Sequence, residues 1–154
     1  MLKKNTTPDL PDARHLRFAI ITSIYNAEYV DSMLDAAKTL LEKAGAKKID
    51  IVRVPGAFEI PVAAAICARS GKYDAVINLG LIFMGETYHA EHIGTAISQG
   101  LMQIALETEV PQIHEVLVCK TPAQAKIRCL NPKFNKGREA AFAAVQIART
   151  VKGL

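Results

Sequence analysis

The stretch KIDIVRVPGAFEIPVAAAICARSGKYDAVINLG, residues 48–80, decides the fold. Its opening Lys48–Val54 is an Ile/Val-rich run stopped by Pro55-Gly56, which predicts a buried strand. From Phe58 or Glu59 an alanine-rich segment continues to Ser70, where Gly71 closes it as it would close a helix. Asp74–Gly80 then forms a second short apolar run, and hence a second strand. A connection of this length, with a helix in it, joins parallel neighbours and crosses over right-handed.

Outward from this unit the same alternation repeats. Upstream, Leu16–Thr22 reads as a strand. It is followed by Val30, Met33, Leu34, Ala37, Leu40, Leu41 and Ala44, a helical stripe closed by Gly45. Downstream, a helix from about His89–Glu91 carries Ile93, Ala96, Ile97, Gly100, Leu101 and Ile104 on one face and fades at Thr108, and Ile113–Cys119 is the fourth strand. Thr121-Pro122-Ala123-Gln124 holds the parts of a capping box with proline at the first helical position, and this helix stops before Asn131-Pro132. A last helix starts near Asn135 or Gly137 and buries Ala141, Ala144, Val145, Ala148 and Val151. The order β-α-β-α-β-α-β-α-α predicts a three-layer α/β sandwich, a central four-stranded parallel sheet flanked by helices on both faces. The chain divides into a polar arm over residues 1–15 and a single domain over 16–154, a length that supports one core.

Composition narrows the function classes. Half of the 154 residues are hydrophobic and 22% are charged, which excludes disorder. No apolar run approaches the ~18 residues that span a bilayer, and no apolar stretch follows the basic start as in a secretory signal. Cys67, Cys119 and Cys129 have neither metal nor redox spacing, so they are read as free thiols in a reducing, cytoplasmic setting. The net charge of +4 is unevenly placed: Lys120, Lys126, Arg128, Lys133, Lys136 and Arg138 form a segment without a carboxylate. Such a segment attracts phosphate, on a nucleic acid or a small metabolite, or is equally well a solvated basic face. There is no Trp, and no aromatics interleave with these cations, so stacking on nucleic-acid bases is not expected.

In a parallel sheet, ligands bind beyond the carboxyl ends of the strands, which selects three loops. The first holds Tyr25, a flat apolar ring, and Asn26, an amide donor and acceptor that equally fits a helix cap. The second places Pro55-Gly56 at the centre of an expected type II turn. There Ala57 permits close approach, Phe58 offers a stacking ring and Glu59 an acceptor, although a plain turn and helix start accounts for much of this. The third puts Gly85, Glu86 and Thr87 before a helix, where free amides and the positive end of the helix dipole suit an anion. His89 carries protons near neutral pH or simply fills a structural place. His92 stands three residues on, but no third ligand in a metal-binding pattern accompanies the pair, so no metal is expected.

Five ordered motifs carry a resemblance. V-P-G-A-F-E-I-P at 54–61, G-K-Y-D-A-V-I at 71–77, G-E-T-x-H at 85–89, G-L-M-Q-x-x-L-E-T at 100–108 and N-K-G-R-E-A-A at 135–141 resemble the lumazine synthase family over about Arg17–Lys152. The resemblance implies a flavodoxin-like sandwich and the condensation of 5-amino-6-ribitylaminouracil with 3,4-dihydroxy-2-butanone 4-phosphate to 6,7-dimethyl-8-ribityllumazine, with no cofactor. It implies that Tyr25, Asn26, Ala57, Phe58, Glu59, His114 and Lys136 receive the pyrimidine and its ribityl chain. By the same likeness Gly85, Glu86, Thr87 and Arg128 hold the phosphate, and His89 is the general acid/base. Arg128 and Lys136 come from the adjacent subunit in that family, so a homo-oligomer is implied, pentameric or assembled into a capsid. The short Arg128–Lys136 connection is that of capsid-forming members. Ile24, Met84 and His114 depart from the family pattern, which commonly has basic residues at the first two places and an aromatic at the third. A receiver-type signalling domain is excluded because Asp50 and Asp74 lie at strand starts rather than strand ends.

Overall fold

The computed structural model describes residues 9–154. Four strands, β1 (Arg17–Ser23), β2 (Lys48–Val54), β3 (Ala75–Phe83) and β4 (Gln112–Cys119), form one sheet in the order β2-β1-β3-β4 with every pair parallel. The helices are α1 (Ala27–Lys43), α2 (Ile60–Arg69), α3 (His89–Thr108), the single turn α4 (Pro122–Ala125) and α5 (Lys136–Lys152). The three-layer sandwich expected from the alternation is the observed fold. Residues 1–8 of the expected polar arm lie outside the described residues; within its remainder, Ala13 is buried and its N–H donates to Ala44 O at 2.9 Å.

Alternating side chains of the central strands sort the layers. Phe18, Ile20, Ile77 and Leu79 pack under α1 and α5, whereas Ala19, Ile21 and Val76 pack under α2 and α3. Because β1 and β3 are covered on both faces, nearly every residue along them must be apolar, which is why they read as continuous hydrophobic runs. On the first face α5 meets α1 at Gly137. A Cβ there would run into the backbone carbonyl of Met33, so only glycine allows this crossing.

Three local features differ from expectation. β3 does not stop at Gly80 but continues to Phe83, paired with β4 as far as Cys119. Gly80 is a packing position rather than a terminator: a Cβ there would lie 3.2 Å from both Ile60 Cδ1 and Val116 Cγ1. The Pro55-Gly56 turn is not type II, since Gly56 is extended (φ −134°, ψ 174°). Instead the Glu59 carboxylate folds back to accept the Gly56 N–H at 2.8 Å, and residues Ala57–Glu59 form a 3-10 turn ahead of α2. At the fourth helix Thr121 Oγ1 caps the Gln124 N–H at 3.3 Å, but the Gln124 side chain reaches one residue further back, to the Lys120 N–H at 2.8 Å. Past Ala125 the chain widens into a π-turn over Lys126–Leu130.

Candidate active site

The carboxyl ends of the strands are tied together by bonds that do not belong to the sheet ladder. Ile24 N–H donates to Val54 O (2.8 Å) and Tyr25 N–H to Pro55 O (3.1 Å), fastening the loop after β1 to the turn after β2. The Asn26 side-chain amide donates to Leu81 O at 2.7 Å, fastening the same loop to β3. Met84 N–H donates to Cys119 O at 2.9 Å, joining the ends of β3 and β4. The three loops selected from the sequence therefore share one edge of the sheet. β1 and β3 are neighbours whose following helices leave to opposite faces, the switch point where such sheets bind ligands.

At this edge two rings lie open to ligand: Tyr25 is 73% exposed and Phe58 63%. Ala57 sits over Gly80, its Cβ 3.5 Å from where a Cβ would stand there, so the missing side chain leaves room for the 3-10 turn. Glu59 is exposed and spends one carboxylate oxygen on its own turn. Gly85, Glu86 and Thr87 are exposed and run directly into α3, whose first turn leaves amides without intrahelical acceptors. Thr87 Oγ1 accepts the His89 N–H at 3.4 Å, and the His89 side chain stands exposed at the first position of the helix. Two exposed rings, a carboxylate, an exposed turn ahead of a helix N-terminus and an imidazole are thus brought to one edge of the sheet. The loops at 24–26, 55–59 and 84–89 contain no Lys or Arg.

The cations stand elsewhere. Arg128 lies in the π-turn, half-buried, donating to Gln124 O at 3.3 Å. Lys136 opens α5 and pairs with Glu139 at 2.9 Å. Neither makes a hydrogen bond or ion pair with the three loops among the described residues. His114 projects from β4 on the α3 side. Its Nδ1 accepts the Val116 N–H (3.2 Å), which leaves Nε2 as the protonated nitrogen, donating to Ser98 Oγ at 2.7 Å. Ser98 in turn donates to Gly94 O at 2.9 Å. Burial pushes the His114 pKa down, consistent with a neutral ring.

One charged side chain escaped the sequence reading. Glu115 is half-buried on the α5 side of β4, and burial pushes its pKa up to about 7, with the Lys136 charge opposing the rise and Glu139 adding to it. The signal was a lone carboxylate inside the apolar run Ile113–Cys119. Among the described residues no group of three or more His, Cys, Asp or Glu side chains is arranged to hold a metal, and no helix is long and apolar enough to cross a membrane.

The sequence model of the family described as 6,7-dimethyl-8-ribityllumazine synthase matches residues 15–152. The chain belongs to that family. It is 43% identical over 134 residues to the 6,7-dimethyl-8-ribityllumazine synthase of Salinibacter ruber, covering 86% of each chain. Over 140 residues it is also 43% identical to the enzyme of that name from Desulfotalea psychrophila, covering 90% of each, and 40% identical over 138 residues to that of Xanthomonas oryzae pv. oryzae, covering 88% of this chain and 90% of the relative. The lumazine synthase match spans all four strands and all five helices, so the loops grouped at the sheet edge lie inside it.

Proposed function

We propose that this chain is a 6,7-dimethyl-8-ribityllumazine synthase, the transferase that condenses 5-amino-6-ribitylaminouracil with 3,4-dihydroxy-2-butanone 4-phosphate in riboflavin biosynthesis. The observation that carries the reading is the grouping of Tyr25, Phe58, Glu59, Gly85–Thr87 and His89 at one sheet edge in a chain of this family. Tyr25 and Phe58 flank the flat ring, and Ala57 leaves room for it. Glu59 accepts hydrogen bonds from the ribityl hydroxyls with its free oxygen. The phosphate rests on the Gly85–Thr87 turn and the first amides of α3. The ring amine attacks the ketone and water leaves to give an imine; phosphate is then eliminated to an enol that tautomerises to a carbonyl, and the second amine closes the ring on that carbonyl with loss of a second water. His89 carries protons in the imine and elimination steps, worth typically ~10²-fold at the low end of such catalysis. Holding two reactive partners in register supplies more of the rate.

A phosphate dianion on loops that hold Glu59 and Glu86 and no Lys or Arg needs outside countercharge. A neighbouring copy provides it in this reading through Arg128, with Lys136 and His114 lining the pyrimidine pocket. Exposed Val62 and Ile66 on α2, and Met102 and Leu106 on α3, support self-association, because each pair forms an apolar stripe one helical turn apart that a second copy would cover. The assembly is a pentamer or a capsid built from pentamers, working in the cytoplasm. Mixing the purified chain with both substrates and following lumazine absorbance tests the activity: product should accumulate with release of phosphate, and a flat trace at saturating substrates would refute it.

A further inference from the structure

We infer that Asn26 is a positioning residue for the pyrimidine partner, acting through Tyr25 rather than by touching the ring. The inference rests on the reading of Tyr25 given above and concerns how its ring is held. The β1–β3 ladder ends with Thr22 opposite Leu79, so the Leu81 carbonyl lies beyond the last β1 residue that pairs with β3. The Asn26 side chain supplies the missing donor across the switch point, at 2.7 Å and 55 residues away in sequence.

Its backbone is shaped for this. Asn26 sits in the left-handed region (φ 61°, ψ 40°), which asparagine tolerates better than most residues. Its side chain makes no cap for α1 even though it occupies the N-cap position. The amide nitrogen is committed to β3 instead. Tyr25 is consequently pinned on both sides, by its own N–H on Pro55 O and by the next residue on Leu81 O. A loop so held presents the exposed Tyr25 ring in one place, which lowers the ordering cost of stacking a ligand on it.

The test is a double-mutant cycle on the full-length protein, with both Michaelis constants measured. Asn26→Gly keeps the left-handed backbone and removes the donor. It should raise the pyrimidine KM about five-fold, the scale of one neutral hydrogen bond, and the butanone phosphate KM much less. In a Tyr25→Ala background the same change should leave the pyrimidine KM unaltered, because coupled residues do not add. Asn26→Asp, which sets an acceptor against the Leu81 carbonyl, should cost more than Asn26→Gly. An undiminished effect in the Tyr25→Ala background, or an equal rise in both constants, would overturn the inference. Wild-type turnover in the same assay checks the functional reading separately. Since the chain has no Trp, Tyr25→Trp adds a single fluorophore that reports on the loop without substrate. Asn26→Gly should speed its depolarisation, and unchanged anisotropy would contradict the strap.

Discussion

Asn135 holds the carbonyl oxygen of Cys129 at 2.6 Å with its side-chain amide. Its oxygen simultaneously caps α5, accepting the Gly137 N–H at 2.8 Å and the Arg138 N–H at 3.4 Å. One buried side chain therefore fixes the π-turn that carries Arg128 relative to the helix that begins with Lys136. Ser32 of α1 donates to the same Cys129 carbonyl at 2.7 Å, completing the anchor.

Asn135→Ala removes both the cap and the tie, and should lower stability by about 2 kcal/mol. Asn135→Ser keeps a capping oxygen but loses the amide donor to the Cys129 carbonyl, and should lose about half as much. Urea midpoints of the two variants check the ranking, which fails if serine is as damaging as alanine.

Gly137→Ala places a methyl against the Met33 carbonyl, and backbone cannot yield as a flexible side chain does. The variant should lose several kcal/mol, on the order of the largest single-residue effects, and melt far below the wild type. Gly85→Ala, whose Cβ would meet nothing within 4 Å, is the matching control and should melt with the wild type.

Adjacent residues on opposite faces of β4 should respond to pH in opposite senses. Glu115 has a folded pKa raised to about 7, so between roughly pH 4.5 and 7 the folded state holds a proton that the unfolded chain has lost. Its contribution is full below that window and is lost as pH rises through it. His114 has a lowered folded pKa, so its contribution is present above the unfolded value near 6.5 and is lost as pH falls below it. Glu115→Gln should therefore stabilise the protein by about 1–2 kcal/mol at pH 8 and have little effect at pH 4. His114→Phe should remove the acid-side loss. Denaturation series across pH check both, and a Glu115→Gln gain that is equal at pH 4 and 8 would contradict the assignment.

The layers were legible because the two periods are strong here: the apolar runs at 16–22, 48–54 and 74–80 and the stripe from Val30 to Ala44 leave little choice of element. Long-range contacts were not legible. Gly80 ends a strand by local rules, yet Ile60 and Val116 need it for packing in mid-strand. Pro55-Gly56 suits a type II turn until Glu59, three residues on, bonds back to Gly56 and holds it extended. The three loops were selected by position, because ligands bind beyond strand ends in such sheets whatever the residues, and the bonds that tie them to one edge involve backbone groups that any sequence supplies. Asn26, however, fitted a cap or a ligand contact, and its bond to Leu81 depends on a pairing offset that no local pattern encodes.

His89 and Arg128 should separate kinetically. His89→Ala should lower kcat by ~10²-fold while leaving pyrimidine binding close to wild type. Arg128→Ala should raise the KM of the butanone phosphate far more than that of the pyrimidine, because the phosphate contact proposed for it is charge-assisted. Steady-state kinetics with each substrate varied in turn checks this, and equal losses for both substrates in Arg128→Ala would misplace the arginine.

The most direct test of the proposal that the site is shared between subunits uses the same two variants together. His89→Ala and Arg128→Ala chains are unfolded, mixed, refolded and assayed with both substrates beside each variant refolded alone. If His89 of one subunit works with Arg128 of the next, hybrid assemblies contain interfaces where both residues are intact, and the mixture should turn over faster than either variant. A mixture no faster than the average of its parts would mean that the two residues do not meet across subunits.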